Sequence, residues 1–241
     1  MKSKIHELKL IKKIGVPNIN SFLFPKSEQS IPIIFLLMLF SFGLLFIRIS
    51  ITKTLYYLFL VWNVFLAIIP YVITMYLSET KKTYKISFFF IFAIWLAFLP
   101  NAPYIITDLF HLSKSSFKNI WIDTLVISAF AITGMLLFYF SLFQMKRALL
   151  DFFNQKIAKT LIITTIYLSA FGVYIGRFLR YNSWEILSDP LQLFRAIFDM
   201  VLHPTTNKEV WLFTVSFGLF LQLGYSIFKR LNTKNQNNTF N

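Results

Sequence analysis

Cysteine is absent from the 241 residues, which excludes disulfides, cysteine-ligated zinc sites and thiol catalysis. It leaves the redox compartment open, because disulfide-free chains occur everywhere. Charge is scarce as well. Only 14% of residues are Asp, Glu, Lys or Arg, against about 25% in an ordinary soluble domain. Acids are the rarer sign, ten against 24 basic residues, for a net charge of +14. Glycine and proline are few, seven and eight, and no low-complexity core interrupts the chain, which argues against disorder. What is present is apolar: 56% of residues are hydrophobic and 30 are Phe, with a mean hydropathy of +0.63. That surplus has to face something other than water, and lipid is the simplest answer.

The basic excess does not point to nucleic acid. Such binding needs the charge gathered on one soluble face with aromatics interleaved, whereas here it sits in short gaps between apolar runs. Anionic lipid headgroups explain those gaps better.

About 20 apolar residues cross the hydrocarbon core, and the backbone there must satisfy its own hydrogen bonds. Six charge-free intervals qualify: 31–47, 54–78, 86–107, 124–145, 160–176 and 210–228. The third contains Pro100 and Pro103, so its regular helix should end near Leu99 and continue as a turn or shallow re-entrant segment. The expected fold is an all-α polytopic bundle of about six spans. Residues 1–30 form a basic N-terminal tail, 31–228 the membrane domain and 229–241 a polar C-terminal tail.

Alternate gaps differ in basic charge. The tails and the gaps after spans two and four hold 16 Lys and Arg, the other gaps eight. The positive-inside rule places the richer side, with both termini, in the cytoplasm. No cleavable signal peptide is apparent, because the first apolar run follows a basic tail and lacks a small-residue cleavage site. Four of the acids lie inside and six outside, so net charge is +12 on the inner face and +2 on the outer. The outer face is where acids, bases and other polar groups mix, as a localised site requires.

Gly172 and Gly176 are a small-xxx-small pair on span five, the spacing that lets membrane helices approach closely. Asn63 lies within span two beside Trp62, where an unpaired amide is costly and should find an interhelical partner. Asn63, Asn101 and Asn182 read as structural polar groups. Between spans five and six, Asp189 and Pro190 suit an N-cap and first turn. Leu191, Phe194, Phe198 and Val201 then share one face, and Gln192, Arg195 and Asp199 another. Charges at mid-length make this an outer interfacial amphipathic helix, from about 189 to 202, rather than a seventh span.

Two outer segments carry the chemistry. In FLPNAPYIITDLFHL, 98–112, Thr107 could cap a short helix that puts Asp108 and His111 three apart on one face. That spacing permits an acid-base pair or two metal ligands, although two ligands do not make a metal site and an acid near a helix start ordinarily stabilises the helix. In GRFLRYNSWE, 176–185, Arg177 and Arg180 align on one face. They could clamp a phosphate or carboxylate, snorkel to headgroups, or meet Asp108, Asp123 or Glu185 in an ionic centre. No cofactor is indicated.

Four strings resemble the bacterial membrane-protein family known as domain of unknown function DUF1361: WNVFLAIIP at 62–70, FLPNAPYIITDL at 98–109, WID at 121–123 and YIGRFLRYNSW at 174–184. They frame about two-thirds of the chain. The resemblance implies a multi-span bacterial membrane protein and brings no assigned activity or catalytic residues.

Three function classes follow. First comes a partner of other envelope proteins in the bacterial cytoplasmic membrane, with a polar, ionic site on the extracytoplasmic face. The alternative is an enzyme acting on a phosphorylated lipid or lipid-linked glycan, with Arg177 and Arg180 holding phosphate. Asp108, His111, Asp123 or Glu185 would then supply acid-base chemistry or hold a divalent ion. A transporter ranks last, because beyond Asn63, Gln144 and Gln222 the spans are nearly bare of polar groups. The orientation has a direct test: single Cys probes at Ser115 and Asn207 should label with a membrane-impermeant reagent in intact cells, and probes at Gln155 and Asn237 should not. The opposite pattern reverses the topology.

Overall fold

A computed structural model describes residues 30–79, 85–179 and 190–238. Every regular element among them is helical. The seven main helices are α1 Ser30–Thr52, α2 Phe59–Glu79, α3 Lys85–Phe98, α4 Ile120–Leu150, α5 Gln155–Phe178, α6 Pro190–Leu202 and α7 Lys208–Asn238. Six segments are long and apolar enough to cross a bilayer: Ile31–Thr52, Tyr56–Ser78, Lys85–Ser113, Ile120–Leu150, Gln155–Phe178 and Lys208–Asn232. The chain is a multi-pass helical membrane protein. Its helices outrun the charge-free intervals because those intervals mark only the hydrocarbon crossing. At about 1.5 Å per residue, the 31 residues of α4 reach roughly 46 Å, against about 30 Å of hydrocarbon.

The bundle is organised around α4. In its most apolar stretch 72% of residues are buried, against 28 to 33% in the other five spans. A helix that is apolar on all sides belongs in the centre, and Phe130, Leu137, Phe138 and Leu142 of α4 are fully buried. Helices α1 and α2 pack on it, and α7 packs chiefly on α5. Several polar groups in this interior are joined across helices, as a medium without water favours. The Trp95 indole N–H donates to Ser141 Oγ at 2.8 Å, and that hydroxyl donates to the Pro70 carbonyl at 3.1 Å. One side chain of α4 thereby ties α3 to the proline-containing α2.

Helix α3 stops at Phe98, as its prolines dictate. The chain then makes a helical turn, Asn101–Tyr104, and a 3-10 helix, Ile105–Lys114. Ala102, Pro103 and Ile105 are buried, so this connector sinks between α4 and α5. Two glycines make room for it. A Cβ on Gly134 of α4 would stand 2.5 Å from the Ala102 carbonyl oxygen, and one on Gly172 of α5 would stand 2.7 Å from Pro100 Cγ. Gly172 therefore admits the broken end of α3 to the face of α5.

The expected short amphipathic helix is present as α6, and its suggested cap, Asp189, lies outside the described residues. Leu191, Phe194, Phe198 and Val201 are all exposed, while Met200 and Ala196 pack against Tyr174, Val210 and Trp211. The apolar stripe thus points away from the bundle, the orientation of a helix whose greasy face meets lipid.

The glycine contacts make a graded expectation. Gly134→Ala should destabilise the detergent-solubilised protein by about 1–3 kcal/mol, because backbone has to move. Gly43→Ala on α1, where nothing lies within 4 Å of the added methyl, should be neutral or stabilising by up to about 1 kcal/mol through helix propensity. Thermal denaturation of both variants checks the contrast, and equal melting temperatures would refute it.

Candidate functional site

Two buried carboxylates organise one end of the bundle, where the α1–α2 turn, the connector, the start of α4 and the end of α5 meet. Asp108 is 1% exposed. Its Oδ1 receives Arg177 Nη1 at 3.0 Å and its Oδ2 receives the Asn63 amide at 2.8 Å. The first donor comes from the last turn of α5 and the second from α2, so one carboxylate joins three segments that are distant in sequence. The Arg177 guanidinium also lies near the rings of Tyr104 and Phe110, which enclose its flanks.

His111 follows Asp108 by three residues in the 3-10 helix, where side chains at that spacing eclipse one another. Its Nε2 lies 3.9 Å from Asp108 Oδ1 and 3.4 Å from Arg177 Nη1, while the Tyr56 hydroxyl lies 3.2 Å from Nδ1. The imidazole packs on Phe59. Thr107 does not cap this helix. The 3-10 run begins at Ile105, and the Thr107 hydroxyl donates backward to the Tyr104 carbonyl at 2.6 Å.

The second carboxylate, Asp123, sits in the first turn of α4 and is also buried. Arg48 Nε donates to its Oδ1 at 3.0 Å and the Ser115 hydroxyl to its Oδ2 at 2.7 Å. Arg48 is itself buried, spends Nη1 on the Thr54 carbonyl at 2.9 Å, and stacks over Tyr57 with Cζ 4.6 Å from the ring centroid. The Tyr57 hydroxyl meets Ser115 Oγ at 2.9 Å. Successive tyrosines of the short 3-10 turn Tyr56–Leu58 therefore serve the two centres, Tyr56 through His111 and Tyr57 through Ser115.

The arginine expected to meet Asp108, Asp123 or Glu185 meets Asp108. Asp123 belongs to a separate centre, whose arginine, Arg48, reads in sequence only as a basic residue between apolar neighbours. Its signal is an arginine of α1 and an acid of α4 at one end of two apolar helices. Tyr56, Tyr57 and Ser115 carry no comparable signal. Asn63, expected to find an interhelical partner, finds the Asp108 carboxylate. The Asn101 amide donates to the Phe98 carbonyl at 2.9 Å, bracing the broken helix end. Arg180, Asn182 and Glu185 lie outside the described residues. Ser115 is engaged with Asp123, so Phe117, 95% exposed in the neighbouring turn, is the better position for a topology probe.

A metal does not suit the Asp108–His111 pair, because both carboxylate oxygens already hold protein donors and a guanidinium stands beside them. Among the described residues no three His, Asp or Glu side chains group as metal ligands.

The model of a family described as a protein of unknown function, DUF1361, matches residues 62–223. The chain belongs to the DUF1361 family. Asn63, Asp108, His111, Asp123 and Arg177 of this DUF1361 protein fall inside the matched segment, whereas Arg48, Tyr56 and Tyr57 precede it. No curated protein and no solved structure matches the chain.

A double-mutant cycle measures the first centre. Arg177→Ala should cost about 3–5 kcal/mol of stability, because it strands a buried carboxylate. Asp108→Asn should cost less in that background than alone, with a coupling of about 0.5–3 kcal/mol. Arg177→Ala and Asp123→Asn, which share no direct contact, should be nearly additive. Thermal stability in detergent reads all three, and strict additivity of the first pair would dismiss the shared network.

Proposed function

We propose that this chain is a non-catalytic partner of other envelope proteins, held in the bacterial cytoplasmic membrane with both termini in the cytoplasm and its ionic end on the extracytoplasmic face. The supporting observation is that both buried carboxylates are closed. Every oxygen of Asp108 and Asp123 accepts from a donor of the same chain. An arginine neutralised by such a contact offers little net charge to a phosphate. Closed networks of this kind hold helices in place, and they suit a bundle whose task is to present fixed outer segments to a neighbour.

A second reading has one observation in its favour. The His111 side chain is 27% exposed, and an imidazole held between the Tyr56 hydroxyl and the Arg177 guanidinium at the surface is a usable acid-base group. On that reading the protein is a membrane enzyme acting on a phosphorylated lipid or lipid-linked glycan at the outer leaflet. Transport has the least support. Of the interior amides expected to serve it, Gln144 accepts from Thr74 across two helices at 2.9 Å, a contact that holds the bundle together.

Lipid and glycan profiling of a deletion strain separates the classes. The partner reading expects an unchanged repertoire of lipids and glycans and full rescue of the deletion phenotype by His111→Gln. A photo-crosslinking residue at Phe117 should capture another envelope protein. Accumulation of one unprocessed lipid or glycan, reversed by the wild type but not by a normally expressed His111→Gln variant, would replace the partner by the enzyme.

A further inference from the structure

At the opposite end of the bundle, near the α4–α5 turn, α4, α5 and α7 enclose a cavity of about 220 Å³. Its lining is Lys146 from α4, Lys159, Ile162 and Ile163 from α5, and Gln222, Tyr225, Ser226 and Lys229 from α7. Each of the three helices contributes one lysine, and among the described residues no carboxylate lines the space. Solvated positive-inside lysines would diverge into water. These three converge instead, Lys146 lying within electrostatic reach of both Lys159 and Lys229. The Tyr225 hydroxyl is buried on the same wall and has no hydrogen-bond partner among the described residues. An orphaned donor of this kind is expensive inside a membrane protein.

We propose that this cavity is a binding site for a phosphate-bearing anion, the three lysines supplying the charge and Tyr225 and Gln222 directed hydrogen bonds. The volume is below the roughly 300–1,000 Å³ of ordinary small-molecule pockets and gives room for a phosphate group with its immediate ester. Ile162 and Ile163 provide an apolar wall beside the charge. A basic pocket between membrane helices on the side with the greater basic excess matches the chemistry by which anionic phospholipid headgroups are held. The same chemistry would hold inorganic phosphate, and the two sources are separable by experiment. The site stands apart from the ionic centres and does not depend on the role assigned to them.

The test uses the full-length protein purified in detergent and titrated separately with phosphatidylglycerol, phosphatidylcholine and inorganic phosphate, with thermal stability and native mass spectrometry as readouts. Phosphatidylglycerol should raise the melting temperature and be retained, and phosphatidylcholine should do neither. An equal response to inorganic phosphate would make the free anion the ligand; none would make it the lipid. At roughly fivefold per lysine, the Lys146→Gln, Lys159→Gln, Lys229→Gln triple variant should lose on the order of 100-fold in apparent affinity. Tyr225→Phe keeps the charge and shape, folds without an orphaned donor, and should still weaken binding severalfold. Arg230→Gln, exposed and outside the lining, should leave binding unchanged. Equal loss in Arg230→Gln, or binding unaltered in both the triple variant and Tyr225→Phe, overturns the site in favour of diffuse surface charge.

Discussion

The rest of this end of the fold depends on the pairing of Arg177 with Asp108. A carboxylate or guanidinium taken out of water costs several kcal/mol unless its partner is in place and its remaining lone pairs and protons are used. At this centre that requirement enlists three segments at once: the last turn of α5 brings the guanidinium, the 3-10 connector the carboxylate, and α2 the Asn63 amide. None can move alone without leaving a buried group unpaired. Arg48 and Asp123 apply the same constraint to α1 and α4. The two centres lie side by side, Tyr56 serving one and Tyr57 the other, each with its own carboxylate–guanidinium pair at the polar end of an apolar body.

That assembly is possible because α3 breaks. An unbroken helix through residue 107 would carry Asp108 along the axis of α3 and away from α5. The prolines end the regular helix at Phe98, and Gly134 and Gly172 let the following turn settle against α4 and α5. The tighter 3-10 geometry then stacks His111 over Asp108. Backbone irregularity in a membrane protein is tolerated where protein covers it, and here the covering helices are those whose side chains complete the site.

The two ends of the bundle use charge differently. At one end each buried carboxylate holds a guanidinium, and the charges cancel locally. At the other, Lys146, Lys159 and Lys229 gather around a cavity whose lining holds no acid among the described residues. Helix α7 links the halves of this description. It packs on α5 along much of its length, with Trp211 donating to the Met200 carbonyl at one end and Tyr225 and Lys229 reaching the cavity at the other.

Membership of the membrane class, the number of spans and the break after Phe98 were legible in the residues themselves. Each follows from a local rule: lipid demands long apolar runs free of charge, and proline cannot continue a helix. The amphipathic stripe of α6 was legible for the same reason, whereas the direction it faces was not. The candidate acids and Arg177 stood out because charge is rare in such a chain. Their partners did not. Arg48 lies 75 residues from Asp123, and Asn63 lies 45 from Asp108, and no local pattern relates such pairs. The cavity between three lysines is likewise invisible in a count of basic residues, which says nothing of their convergence. Sequence alone determined that polar groups would be few and would need partners; only the packing of α1, α2, α4 and α5 around the broken end of α3 decided which partners they have, because burial and distance are properties of the assembled helices.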